Sequence, residues 1–484
     1  MKRQHPIAIF RLITKNFWLL IFPLIRGLAA LRFDFYTWVQ GAYFDIIIIV
    51  VILVSAVERW YFTKFEIGEK EFLYESGWFF KIKYAVPYAV LSAVTTERIF
   101  LMRPFGAVKI FLDSDGIAFG ASAKAADVKI TTSLKESEKL FRNIQKETTK
   151  ATVKYKVSRP GWMFFSLVFS SALSGAVFLI TFFMQGGKIV GERLEQTFYM
   201  AVNDMTKLAG TIIKGVSPAM VVISIIIAGG WFISFVRNLL RHDNFTIARK
   251  DKNIIITNGF LTKRKYYINT DKVNYADLRQ SLFMKLCRVM SVHVNCSGYG
   301  KAKNEIPVFV PISRCENICG TMKMVLPSFI LSDNEICANT NALFRFLWPP
   351  GALIFLFLVM SLIAVVLFPG WSLFILFLAI MSEIPSTTLL IVKLVAFYTN
   401  GISFKNDVVC LRYCTKFQYH TVIVPKTRIA KVTIRQSFFQ RLNCTCDVII
   451  NTNSEYTKSH RVRGMTLCDA VKLIKSAGIS ELTQ

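Results

Sequence analysis

One stretch recurs three times and sets the plan of the chain. It reads VPYAVLSAVTTER at 86–98, INTDKVNYADLRQ at 268–280 and VPKTRIAKVTIRQ at 424–436, without gaps and 182 and 156 residues apart. A repeat of this kind means that one supersecondary unit is used several times. The last two copies run on as RQSLFMKL (279–286) and RQSFFQRL (435–442), the first as ERIFLMRPFG (97–106). Gly77 and Gly259 lie nine residues before the first two copies, and Thr415 holds that place in the third. After each copy, Ser133…Glu136, Ser313…Glu316 and Thr466…Asp469 have capping-box spacing, which predicts a helix at each.

Long apolar runs separate the copies. Hydrophobic residues make up 53% of the chain and charged ones 19%, yet the net charge is +28. That combination belongs to basic multi-pass membrane proteins; a nucleic-acid partner would explain the charge and leave the apolar runs unexplained. Six spans are predicted, paired as three hairpins: 16–31 with 35–57, 162–184 with 217–240, and 352–368 with 371–398, each near the ~20 residues a bilayer requires. In the first hairpin Arg26 and Asp45 are equidistant from the turn and are predicted to neutralise each other. In the second, Leu194, Phe198, Val202, Met205, Leu208 and Ile212 step by threes and fours, which predicts an amphipathic helix in the loop. In the third, SEIPSTT at 382–388 is expected to break the last span beside Glu383, which has no basic residue in the facing span.

The resulting order is a first hairpin (1–60), a soluble block (61–159), a second hairpin (160–240), a block (241–342), a third hairpin (343–398) and a block (399–484). The blocks hold 17, 15 and 13 Lys plus Arg, 45 of the 59. With the basic tail of Lys2, Arg3, Arg11 and Lys15, this excess predicts blocks and both termini on the cytoplasmic side of the cell membrane. All ten cysteines lie between Cys287 and Cys468; their spacings form no two C-x-x-C pairs, so no metal is expected and they read as small hydrophobes.

Each block reads as short strands followed by one helix. A membrane hairpin, a strand and turn glycine, then IP-x-x-x-I-x-x-V and Q-S-x-x-x-R-L/F-G resembles the bacterial pleckstrin-homology-like (PH-like) domain, and three in series resembles the YdbT-like multi-pass membrane proteins. Departures fall at Thr415, at Asn269 in place of the proline, and at Gly106, near whose place the later copies have Cys287 and Asn443. The resemblance implies transmembrane helical hairpins alternating with three small β-rich PH-like domains, each a partly open barrel or sandwich with a C-terminal helix. It implies no catalytic site.

Candidate binding residues come from the hairpins of the first two blocks, where Lys70, Lys81 and Lys83 correspond to Lys252, Lys263 and Lys265. With turns at Ser76-Gly77 and Asn258-Gly259, Lys70 would face Lys83 and Lys252 would face Lys265, a repulsion that an anionic headgroup would reverse. The recurring Arg-Gln-Ser reads instead as a strand end whose polar side chains satisfy backbone groups. No nucleotide, zinc-protease or hydrolase motif appears, so the chain is expected to be non-enzymatic and to need no cofactor. Its expected partners are membrane lipids, another protein or a second copy of itself, in a setting such as envelope maintenance or stress. The alternative is a transporter or channel using Glu383 and the Arg26–Asp45 pair.

Overall fold

The structure, a computed structural model, describes residues 1–15, 35–114, 128–144, 153–157, 159–168, 170, 192–212, 217–241, 244–250, 253–297, 299, 308–405, 407–453 and 459–476. The first repeat contains β1 (Lys2–Arg3), α1 (Ala8–Lys15), α2 (Phe35–Phe62), β2 (Lys64–Ile67), β3 (Glu71–Ser76), β4 (Ile82–Pro87), β5 (Leu91–Ile99), β6 (Ala107–Ser114), β7 (Val128–Ser133), α3 (Leu134–Ile144) and β8 (Val153–Lys156). The second has α4 (Arg159–Val168), α5 (Glu192–Ile212), α6 (Pro218–Arg241), β9 (Thr246–Lys250), β10 (Asn253–Asn258), β11 (Thr262–Asn269), β12 (Val273–Ser281), α7 (Leu282–Leu286), β13 (Val289–Cys296), β14 (Val308–Arg314) and α8 (Cys315–Val325). The third has β15 (Ile336–Cys337), α9 (Leu343–Leu367), α10 (Ser372–Thr399), β16 (Gly401–Lys405), β17 (Val408–Thr415), β18 (Gln418–Pro425), β19 (Ile429–Arg435), α11 (Phe438–Leu442), β20 (Thr445–Thr452), β21 (Ser459–Thr466) and α12 (Leu467–Ser476).

Each copy of the repeated stretch therefore ends one hairpin strand, turns through a short 3-10 segment and begins a second sheet. What the repeat does not announce is how the sheets join. Strand β5 of the first repeat pairs with β11 of the second, Glu97 opposite Arg264, and β12 of the second pairs with β18 of the third, Ala276 opposite Ile423. Two seven-stranded sheets result, in the orders β7-β6-β5-β11-β10-β9-β8 and β14-β13-β12-β18-β17-β16-β15. Strands β1-β2-β3-β4 form a separate four-stranded sheet, and β19-β20-β21 a three-stranded one. Joining strands this way satisfies edges that would otherwise expose unpaired backbone groups.

The cores follow the same pairing. Phe65, Phe72, Ile110, Leu112, Ile130 and Leu140 form a buried cluster with Ile255 and Tyr267 of the second hairpin. Leu411, Val422, Val448, Val462 and Met465 cluster with Tyr275 of β12. The chain packs as two compact units, one of Met1–Tyr155, Thr246–Val273 and Cys296–Glu305, the other of Lys156–Phe245, Asn274–Asn295 and Ile306–Gln484. The second repeat is thus divided between them.

Among the described residues, three helices are long and apolar enough to cross a membrane: Pro218–Leu240, Thr340–Leu367 and Pro369–Thr399. Helix α2 covers the second predicted span; the first span and most of the third lie outside the described residues, as does Arg26, and the Asp45 side chain is likewise not described. The loop helix over 192–212 is present and packs against α6. The expected break at 382–388 is corrected: α10 runs unbroken through Pro385. Proline removes the backbone donor to the Met381 carbonyl, while the hydroxyls of Ser386, Thr387 and Thr388 donate to the carbonyls of Ser382, Glu383 and Ile384 at 2.8, 2.8 and 2.7 Å and so stay satisfied within the helix around it.

The capping signals fare unequally. Ser133 Oγ accepts from the Glu136 amide at 3.4 Å, whereas Arg314 rather than Ser313 caps α8, with no side-chain bond, and the Thr466 hydroxyl donates to Asp469. A full capping box occurs instead at Ser437 and Gln440, inside the Arg-Gln-Ser motif.

Candidate membrane-facing site

Hairpin register decides what the lysines can do. Strands β3 and β4 pair Glu75 with Lys83 and Ser76 with Ile82, so residues 77–81 form the loop and the expected Lys70–Lys83 opposition does not exist. The cause is Gly77, whose φ of +97° starts a wider loop; a Cβ there would lie 2.1 Å from the Phe80 carbonyl oxygen. Gly259 has the same φ, and Lys265 faces Thr257 rather than Lys252; Lys252 lies outside the described residues. Lys81 and Lys83 both pair with Glu75, at 2.6 and 3.4 Å. Lys70 and Lys263 are exposed. Lys265 is half-buried over the Phe141 ring, 4.7 Å from its centroid, and burial, with the charge of Lys250 nearby, lowers its ammonium pKa. Among the described residues the like-charge opposition is absent: Lys83 faces Glu75 and Lys265 faces Thr257. In the β17–β18 hairpin only Lys416 and Phe417 separate the paired Thr415 and Gln418, and Lys416 supplies the positive φ of 52°, which is why Thr415 needs no glycine.

The longer loops expose apolar side chains that the sequence reading did not single out. Trp78, Phe79 and Phe80 are 67, 82 and 79% exposed, and Phe260 and Leu261 are also exposed. The turn after each repeated stretch does the same, with Phe100, Leu101 and Phe105, then Phe283 and Leu286, then Phe438, Phe439 and Leu442. Edge pairing brings hairpin tip and turn together, because Thr262 lies opposite Ile99 and Gln418 opposite Ser281. Arg103 fastens the first such pair, donating to the carbonyls of Phe260 and Leu261. Two of these corners touch apolar helices that lead into predicted spans. Trp78 stacks on Phe62 at the end of α2, centroids 6.3 Å apart, and Phe283 on Phe164 of α4 at 5.6 Å. The Arg-Gln-Ser residues hold the corners in place: Gln280 and Gln436 donate to the carbonyls of Val289 and Thr445, and Ser281 Oγ accepts from the Met284 amide.

A second feature is a buried polar network where β12 meets β18. Asp277 accepts from Arg279 at 2.6 Å and contacts His420 Nδ1 at 3.0 Å. Burial would raise its carboxyl pKa, but Arg279 and His420 hold it well below the usual carboxylate range. Tyr413 Oη lies 2.9 Å from His460 Nδ1, and Tyr275 meets the same ring edge-on. In α10, both carboxylate oxygens of Glu383 are enclosed and have no hydrogen-bond partner among the described residues. Among those residues no group of three or more His, Cys, Asp or Glu side chains is placed to hold a metal ion.

Comparison with known proteins accords with this architecture. The bacterial PH domain family matches residues 20–148, 203–323 and 352–478. The UPF0699 transmembrane protein YdbT of Bacillus subtilis (strain 168) is 22% identical over 161 residues, which are 33% of this chain and 32% of that protein. The similarity thus spans about a third of that relative's length. No solved structure matches the chain. Three tandem matches over most of the length, each holding the hairpin and the second sheet with its helix, establish that the chain belongs to the bacterial PH domain family.

Proposed function

We propose that the chain is a non-enzymatic membrane scaffold with six spans, its three PH domains and both termini on the cytoplasmic face of the cell membrane, and that the exposed tips and corners of those domains sit among lipid headgroups. The observation that carries this reading is the contact of Trp78 with Phe62 and of Phe283 with Phe164. Apolar corners that border the roots of apolar helices lie at the depth where aromatic rings are favoured in a bilayer. Exposed apolar clusters rimmed by basic residues mark interaction surfaces, and the excess of Lys and Arg suits anionic lipid. The hairpin lysines then contribute to a general basic field rather than to a stereospecific clamp.

A photoreactive benzophenone amino acid placed at Phe79 or Phe438 in the full chain tests the reading. Cross-links to lipid in native membranes are expected at both positions, with few at Lys154, an exposed position away from the corners. Cross-links only to protein would replace lipid by a protein partner or a second copy. The competing reading is a transporter or channel through Glu383 and the Arg26–Asp45 pair; the enclosed oxygens of Glu383 favour it, and the unbroken α10 argues against it.

A further inference from the structure

At the root of the third hairpin, α9 begins and α10 ends against β17 and β21, and a small cavity of about 100 Å³ remains between them. Its wall carries Arg345 of α9, Lys393 of α10, and Arg461 and Arg463 of β21. Among the described residues one carboxylate, Asp447, lies beside these four cations and binds two of them. Asp447, fully buried, accepts from Arg345 at 3.2 and 3.0 Å and from Arg461 at 3.0 and 2.5 Å. Gln440 and the Gly464 amide complete its shell at 2.9 and 3.1 Å. Burial would raise the Asp447 carboxyl pKa, but Arg461, Gln440 and Arg345 outweigh it, so the group stays ionised. Its accepting capacity is therefore taken up by Arg345, Arg461, Gln440 and the Gly464 amide, and no hydrogen bond from it reaches Arg463 or Lys393 among the described residues.

Lys393 and Arg463 have no carboxylate partner among the described residues. The polar neighbour of Lys393 is Cys414 Sγ at 3.7 Å, and burial raises that thiol, so it supplies no counter-charge at neutral pH. Desolvation lowers the Arg463 guanidinium, Arg461 and Arg345 push it the same way, and Asp447 opposes them without reversing the direction. Lys393 is half-buried and Arg463 is exposed at the edge of the cavity; cations held together without a counter-ion repel one another, and an anion seated between them reverses that sign. The cavity is too small for a nucleotide and suits a compact tetrahedral anion, which arginine forks and a lysine recognise together. The N-terminus of α9 adds a favourable dipole. Pro349, Pro350 and Leu389 continue the wall with apolar surface along the hairpin.

We propose that this cavity binds a phosphoryl group, through Lys393 and Arg463 assisted by the outer faces of Arg345 and Arg461. Two sources share that chemistry, an anionic phospholipid headgroup reaching in from the bilayer and free inorganic phosphate. The inference deepens the scaffold reading and rests on it for the membrane placement of α9 and α10. It does not depend on the exposed corners.

The test uses the full chain in nanodiscs, once in phosphatidylcholine alone and once with added phosphatidylglycerol, plus an inorganic phosphate series at constant ionic strength. Thermal midpoint and lipid retained after detergent extraction, read by native mass spectrometry, are the measurements. A rise in midpoint and retained phosphatidylglycerol identify the lipid source; a rise with phosphate in phosphatidylcholine discs identifies the free anion. In either case K393Q/R463Q should weaken the effect about ten-fold or more, the loss expected from a single charge-assisted hydrogen bond. The same variant should be no less stable than the parent without anion, and K393R/R463K should restore binding. K431Q, an exposed lysine of β19, should change nothing. No effect of K393Q/R463Q on either ligand, or an equal effect of K431Q, overturns the proposal. Lipid cross-linking at Phe79 would survive that result, so the two readings fail separately.

Discussion

At the scale of single residues, the most informative group is His460. It is 1% exposed, and three elements supply the groups facing it: Tyr275, Asp277 and Arg279 from β12, Tyr413 from β17 and His420 from β18. Burial, reinforced by His420 and Arg279 and opposed by Asp277, pushes the imidazole down to about 4 from 6.5. Between those values the unfolded chain holds a proton that the folded chain lacks. Stability is therefore full above pH 6.5 and declines as pH falls towards 4, by a total on the order of 3 kcal/mol. Asp277, held low by its cations, stays ionised through that window and does not mask it. Thermal unfolding of the full chain in detergent should show a midpoint that drops between pH 7 and pH 5, and His460→Gln should flatten that slope. A parallel slope in the variant would assign the pH dependence to other groups.

At the scale of elements, the sequence told most where the signal is local. The repeated stretch, the turn glycines and the apolar runs all mark structure within a few residues of themselves, and hairpins, second sheets, closing helices and long apolar helices appear there. The binding hairpins were misjudged by the length of one loop. A two-residue turn and a five-residue loop can both contain Gly77, but the first places Lys83 opposite Lys70 and the second opposite Glu75. Asp277 with His420, and Asp447 with Arg345, are separated by 143 and 102 residues, and no spacing rule reaches that far. At Pro385 the helix continues instead of breaking, losing a single backbone bond while the hydroxyls of the same SEIPSTT segment bond back onto the turn around it. Within that segment, α10 therefore bears on function through Glu383. A carboxyl enclosed without a partner costs stability, so Glu383→Gln should leave the thermal midpoint in nanodiscs unchanged or raise it by about 1 kcal/mol in free energy, with no change in ion or solute flux across reconstituted vesicles. Flux that Glu383→Gln abolishes would instead favour the transporter reading.

At the scale of the whole molecule, the repeats of sequence and the units of folding do not coincide. Each repeat reads as one PH domain, yet β9, β10 and β11 share a sheet and a core with the first repeat, while β12 shares them with the third. The physical reason is the edge. A hairpin and a second sheet built from the same sequence pattern each leave one strand unpaired, and tandem copies let the second sheet of one repeat pair with the hairpin of the next. Isolated repeats would expose those edges and lose core residues, Ile255 and Tyr267 for the first block and Tyr275 for the third, so separate blocks are poor surrogates for the chain. Native-state hydrogen exchange on the full chain resolves the point. Leu411 is fully buried in the third-repeat core, and Leu411→Ala should cost about 2–5 kcal/mol there. If sheet pairing defines the cooperative units, exchange should accelerate together in β16–β18 and in β12, while β10 and β11, three residues upstream of β12 in the same repeat, keep their protection with β5 and β6. Acceleration spread evenly over 246–281 would show that the second repeat opens as one domain, and that sequence repeats rather than shared sheets govern how this protein comes apart.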